Sequence, residues 1–161
     1  MKIKIAKLID GENQWQESIT PESIEVDPRT CKSLLRVDLL VKRRPGKIQV
    51  FVSVEAEQVV TCDRCCDDMV MTTSGQSSVY FSERESILPE EDMGDEYRCF
   101  VQGQSELDVT AEVRDALVLS IPYQNLCSPD CKGLCVTCGT NLNQGDCVCV
   151  KNATESSIEL N

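Results

Sequence analysis

Histidine is absent from this 161-residue chain. Its absence excludes a Ser-His-Asp triad, a Cys-His nucleophile, a Cys₂His₂ zinc site and a His-ligated haem. Aromatic residues are scarce, with 3 Phe, 3 Tyr and 1 Trp, and no RRM-like aromatic motif is present. No apolar run approaches the ~18 residues of a membrane helix. The opening Met1-Lys2-Ile3-Lys4-Ile5-Ala6-Lys7 interleaves charge with apolar residues and lacks the h-region of a secretory signal. These absences predict a soluble, intracellular chain with neither a membrane partner nor a small-molecule substrate. Cysteine, by contrast, is abundant: 11 residues. In a reducing compartment, clustered cysteines read as metal ligands more readily than as disulfides.

Charge is uneven. The net charge is −11, yet residues 1–50 carry +3 and residues 51–161 carry −14. A nucleic-acid contact is therefore sought around Arg29, Lys32, Arg36 and the run Lys42-Arg43-Arg44-Pro45-Gly46-Lys47. The same run reads as a hairpin turn with a solvated tip. The total charge opposes a polyanion and favours a basic protein as partner.

The pattern predicts an α+β fold, predominantly antiparallel β, with the sheet curled or barrel-like. Leu35, Val37, Leu39 and Val41 alternate with polar residues, as do Val50, Val52, Val54 and Ala56. With Pro45-Gly46 between them, residues 34–42 and 47–60 form a long hairpin. Residues 69–82 are extended, and a short strand follows at 97–101. The segment 83–96 holds seven acids and reads as a long acidic loop, able to shield a basic partner. One main helix is predicted over 109–121, capped by Asp108 or Thr110 and stopped at Ile121-Pro122. The expected organisation is a β-rich domain over 1–122, a Cys-rich metal-binding segment over 123–150 clasped to it, and a polar tail over 151–161.

Eight cysteines form four close pairs: Cys62 with Cys65, Cys127 with Cys131, Cys135 with Cys138, and Cys147 with Cys149. Four pairs make two tetrahedral Cys₄ sites. A CxxC turn sets two thiolates on one side of a tight loop whose N–H groups point at sulfur, and Gly139 suits the backbone after the second Cys. Cys147-Val148-Cys149 reads as extended, so that both sulfurs face one ion. The most local partition joins Cys135/Cys138 to Cys147/Cys149 and Cys62/Cys65 to Cys127/Cys131; a cross-braced partition exchanges these partners. Cys31, Cys66 and Cys99 are left over as packed or surface thiols, with Cys66 placed to substitute for Cys65.

A structural zinc contributes ~10–16 kcal/mol, comparable with the ~5–15 kcal/mol stability of a whole domain. Residues 123–150 hold few large apolar side chains and need such a staple. Two Zn²⁺ are expected, with iron in a rubredoxin-like cage or cluster as the alternative, because thiolate spacing alone separates the two poorly. Two complete thiolate sets leave no open position for catalysis. The competing function is a cysteine-based redox protein using Cys62, Cys65 and Cys66.

The run Leu126-Cys127-Ser128-Pro129-Asp130-Cys131-Lys132-Gly133-Leu134-Cys135-Val136-Thr137-Cys138-Gly139-Thr140-Asn141-Leu142-Asn143, closed by Cys147-Val148-Cys149, resembles the C-terminal signature of the YceD family. Thr61-Cys62-Asp63-Arg64-Cys65, the acidic segment and the helix before Pro122 follow the family's order. Val136 and Cys66 depart from it, standing where Pro and a bulky apolar residue are frequent. The resemblance implies a non-enzymatic role in accumulation of the large-subunit (23S-type) ribosomal RNA. The implied partner is a ribosomal protein, an assembly factor or that rRNA, in a bacterial cytoplasm or a plastid stroma.

Overall fold

The computed structural model describes residues 1–83, 97–145 and 147–149. The chain divides into two compact units, one of Met1–Gln58 with Met71–Ile121, the other of Val59–Val70 with the chain from Pro122.

The first unit is built on β-branched alternation. Its strands are β1 (Lys2–Lys4), β2 (Gly11–Ile19), β3 (Leu35–Arg44), β4 (Lys47–Thr61), β5 (Asp68–Glu83), β6 (Tyr97–Phe100) and β7 (Glu106–Asp108), followed by helix α1 (Thr110–Val118). The central sheet runs β2-β3-β4-β5-β6, and β1 pairs with β7 in a separate two-stranded sheet. Pro45 fixes a negative φ and Gly46 takes the positive one (68°), which closes the β3–β4 hairpin in two residues. Across that hairpin Val37 faces Val54, Leu39 faces Val52 and Val41 faces Val50, all buried. Val109, Val113, Ala116 and Leu117 of the helical segment join them in one core, with Leu107 and Ile24. Truncating any of the larger of these to Ala costs about 2–5 kcal/mol.

The pinning of α1 is polar. The buried Gln58 amide nitrogen lies within hydrogen-bond reach of Thr73 Oγ1 (2.5 Å), Ser120 Oγ (2.9 Å) and the Leu117 carbonyl (3.2 Å). A Cβ placed on Gly75 would run into the Ala116 carbonyl, so only glycine lets the strand pass this close to the helix.

The expected α+β character with one main helix is present, but the sheet is open. β2 and β6 are its edges, so it neither curls nor closes as a barrel. The reason is pairing: β2 bonds only to β3, and β6, four residues long, runs parallel to β5. The helix spans Thr110–Val118 within the expected 109–121, but its N-cap is Val109 and makes no side-chain cap bond, in place of the expected Asp108 or Thr110; Asp108 accepts the Thr110 N–H from just outside the helix. Except for Glu83, the acidic loop 83–96 lies outside the described residues, as does the tail 151–161. No helix among the described residues is long and apolar enough to cross a membrane.

Candidate metal centres

The second unit is organised by two copies of one turn. At Cys62, the N–H donates to the Asp67 carbonyl (2.9 Å) and the carbonyl accepts from the Cys66 N–H (2.9 Å). At Cys135, the N–H donates to the Thr140 carbonyl (2.8 Å) and the carbonyl accepts from the Gly139 N–H (2.8 Å). The residue after the second Cys has positive φ in both, 59° at Cys66 and 72° at Gly139. Each CxxC is therefore a knuckle with the same bonds at the same offsets.

Neighbouring backbone brings the remaining sulfurs in. Asp63 and Asn125 pair, the Asp63 N–H donating to the Asn125 carbonyl (2.8 Å) and the Asn125 N–H to Asp63 Oδ2 (2.6 Å), which delivers Cys127. Arg64 Nη1 donates to the Cys131 carbonyl (3.0 Å) and the Leu134 N–H to the Arg64 carbonyl (3.1 Å), which delivers Cys131. Gly133, at φ 74°, makes room: a Cβ there would stand 3.0 Å from the Arg64 carbonyl oxygen.

The eight cysteines fall into two groups, Cys62/Cys65/Cys127/Cys131 and Cys135/Cys138/Cys147/Cys149, the ligand atoms of each all within 4.8 Å of one another. That is the local partition, not the cross-braced one. Cys65 Sγ lies 3.5 Å from Cys127 Sγ, and Cys62 Sγ 3.8 Å from Cys131 Sγ. A disulfide needs about 2.05 Å. Four sulfurs at about 2.3 Å from one tetrahedral ion stand about 3.8 Å apart, so the donor set fits a thiophilic metal. Val148 and Cys149 are helical, not extended as expected; a two-residue spacing does not fix the backbone when the sulfurs' common target sets the geometry. Cys66 is exposed and outside both groups, and Cys65 takes the position for which Cys66 competed in the sequence. Cys31 is buried beside Gln58, and Cys99 is exposed on β6.

Each group splits its protons. Backbone N–H groups of Cys65 and then Cys127 hold the Cys62 thiol down at about 6. The Asn143 amide, then the Gly133 N–H, lowers Cys131. Cys65 shifts upward: the Asp67 N–H favours its thiolate, but burial and the surrounding sulfurs outweigh it. Cys127 is raised chiefly by Cys131. In the second group the Thr140 hydroxyl and N–H bring Cys138 to about 6, backbone N–H groups of Cys138 and Thr137 lower Cys135, and Cys138 pushes Cys149 up to about 11. Four adjacent thiolates repel one another, and a cation among them removes the conflict.

Sequence reasoning missed the clamps on these sulfurs. Asn143 Nδ2 donates to Cys131 Sγ (3.3 Å) while its Oδ1 accepts the Lys132 N–H (2.8 Å). Asn141 Nδ2 donates to Asp67 Oδ2 (2.6 Å), and Thr140 Oγ1 lies 3.2 Å from Cys138 Sγ. The available signal was Thr140-Asn141-Leu142-Asn143 directly after the second knuckle.

The family model described as large ribosomal RNA subunit accumulation protein YceD matches residues 50–159, a span containing all eight of these cysteines. The chain belongs to the YceD family. Among its relatives, a chloroplastic protein of Zea mays named large ribosomal RNA subunit accumulation protein YCED homolog 1 is 28% identical over 157 residues, covering 81% of this chain and 52% of the relative. An uncharacterised protein of Mycobacterium tuberculosis is 30% identical over 110 residues, 68% of this chain and 52% of that protein. The Arabidopsis thaliana chloroplastic YCED homolog 1 is 41% identical over 44 residues, 27% of this chain and 14% of its own length. This YceD chain thus spans about half the length of the first two relatives. No solved structure matches it.

Proposed function

We propose that this YceD chain acts without catalysis in the accumulation of large-subunit ribosomal RNA, by binding that RNA, a ribosomal protein or an assembly factor, with one zinc ion in each Cys₄ group. The family match over residues 50–159 carries this reading. The geometry supports the structural part of it. All eight paired sulfurs are gathered into two sets of four, each set large enough to fill a tetrahedral ion, so a closed structural site fits better than a catalytic one with an open position. The second unit has a small apolar cluster, Cys62, Cys65 and Cys131 with Leu126 against it, so metal–sulfur bonds supply the stability that burial does not. Zinc suits four thiolates because it has no redox chemistry and imposes no geometry of its own; iron also takes such a set. The setting is a compartment where large subunits are assembled, a bacterial cytoplasm or a plastid stroma.

The test is complementation. In cells depleted of the endogenous protein, the chain is expected to restore the ratio of large- to small-subunit rRNA, and Cys62→Ser or Cys135→Ser to fail as their protein levels drop. An unchanged rRNA ratio on depletion overturns the reading. Elemental analysis separates zinc from iron, and a colourless protein at full metal load is the zinc result.

A further inference from the structure

The outer face of the central sheet carries three of the chain's seven aromatic side chains. Leu35, Val37, Leu39 and Val41 point into the core, so Leu40, Lys42 and Arg44 on the same strand point away from it. Phe51 pairs with Leu40 across the hairpin and shares that outer face, with the Lys42 ammonium 5.6 Å from its ring centroid. Tyr80 sits between the buried Val79 and Phe81 and so points outward too, as does its register partner Tyr97. The two rings stack, centroids 5.0 Å apart and planes at 18°, and Tyr97 is 48% exposed. Three of the seven aromatic side chains thus stand on one solvent-facing surface; of the others Phe81 is in the core, Phe100 packs against it, and Trp15 on β2 and Tyr123 are exposed.

The cations collect at the same end. Lys42, Arg44 and Lys47 flank the β3–β4 turn on this face. Glu12 engages Lys42 at 3.0 Å, while Arg44 and Lys47 have no acidic partner among the described residues. Toward the other end Arg36 is paired with Asp38 at 3.6 Å, and Glu55 and Glu57 follow. A shallow groove crosses the strands between, lined by Gln14, Gln16, Asp38, Leu40, Phe51 and Gln76. Amide side chains along a groove offer both donors and acceptors to base edges. Arg43, in the middle of the basic run, points to the opposite side and donates to the Leu8 carbonyl (2.6 Å), so it is structural.

We propose that this face, from Phe51 and the Tyr80–Tyr97 pair to Lys42, Arg44 and Lys47, binds single-stranded RNA. Unpaired bases stack on the exposed rings while the cations meet phosphates, the combination that lets a sheet hold a single strand without a sequence code. A basic protein fits worse, since the cations at this end would repel it. The acids nearest this face, Glu12 on Lys42, Asp38 in the groove, Glu83 bonded through its N–H to the Gly46 carbonyl and Glu96 next to Tyr97 in the chain, offset part of its positive charge, so stacking on the rings is assigned the larger share of the binding. The inference rests on the proposed role in rRNA accumulation and names the surface that carries it.

The test uses the full metal-loaded chain and a fluorescein-labelled unstructured RNA 12-mer, with anisotropy read across a salt series. Binding is expected, weaker for a duplex of equal length. Phe51→Leu, which keeps an apolar side chain but no ring, and Tyr97→Ala are each expected to weaken it about 5-fold or more. Lys42→Ala with Arg44→Ala lowers the slope of log affinity against log salt by about 1.4, two phosphate contacts at ~0.7 each. Arg29→Ala, an exposed cation off the sheet, leaves binding unchanged. No binding by the wild-type chain, or equal binding by Phe51→Leu and the Lys42/Arg44 pair, overturns the assignment. Complementation separates the two levels. If wild type and these variants restore rRNA equally, the face is wrong and the function stands; if wild type fails, the function falls whatever the anisotropy shows.

Discussion

Cys66 and Gly139 occupy the same position in two copies of one knuckle, each with positive φ and each donating its N–H to the carbonyl of the first Cys of its CxxC. Glycine adopts that conformation freely, whereas a residue with a Cβ pays about 1–2 kcal/mol for it. Cys66 is thus a strained surface residue beside the first group and no member of it.

Cys66→Gly is therefore expected to raise stability by up to about 1 kcal/mol, with the metal content unchanged. The reverse change, Gly139→Ala, costs about 1 kcal/mol. Denaturant midpoints of the two variants measured together check both signs; a metal lost on Cys66→Gly would make Cys66 a ligand.

Asn143 ties the loop of the second group to a sulfur of the first. Removing its amide in Asn143→Ala leaves the Lys132 N–H and Cys131 Sγ without their partner. Metal affinity of the first group is expected to fall about 10–100-fold, the usual cost of losing a hydrogen bond behind a ligand. Competition with a chromophoric chelator should show one ion of the two released earlier than in wild type.

Gly75→Ala tests the pin between strand and helix. The added methyl meets the Ala116 carbonyl with no flexible atom to yield, so α1 must shift and the Gln58 bonds to Leu117 and Ser120 lengthen. A loss of about 2–3 kcal/mol is expected from overpacking plus a buried amide left unsatisfied. Wild-type stability in this variant would contradict so close an approach of Gly75 to the Ala116 carbonyl.

Acid should loosen the helix start. The Asp108 carboxyl is held below its ordinary value by the Thr110 hydroxyl (2.5 Å) and then the Thr110 N–H (2.9 Å), against a smaller opposing effect of burial. A carboxylate whose folded value lies below the unfolded ~3.9 stabilises above that pH and loses the stabilisation as pH falls through the folded value. The gap between wild type and Asp108→Asn is expected to be about 0.5 kcal/mol at pH 7, at the low end for a carboxylate beside a helix N-terminus because water screens this exposed group. It should close below about pH 4. Trp15, the single tryptophan, reports it in the first unit; a gap constant with pH would contradict it.

Much of this architecture was legible in the sequence because it is locally encoded. Pro45-Gly46 between two alternating β-branched runs leaves one register for the hairpin, and two CxxC turns plus two further pairs leave few ways to fill tetrahedra. β2 was not legible: Gly11–Ile19 is mostly polar, with Asn13 alone buried, so no alternation marks it. Closure of the sheet is not encoded locally: it depends on whether β2 meets β6, a contact that nothing within either strand reports. The two-residue spacing of Cys147 and Cys149 suits a strand, whereas Val148 and Cys149 are helical. Asn143 was invisible as a sulfur clamp because its role exists only once Cys131 has been brought beside it.

Full-length protein purified under reducing conditions and measured by native mass spectrometry with elemental analysis is expected to carry two zinc ions per chain, with none of the eight paired cysteines alkylated before a chelator is added. One ion or none, with Cys62 or Cys65 reacting rapidly in the native protein, would contradict it.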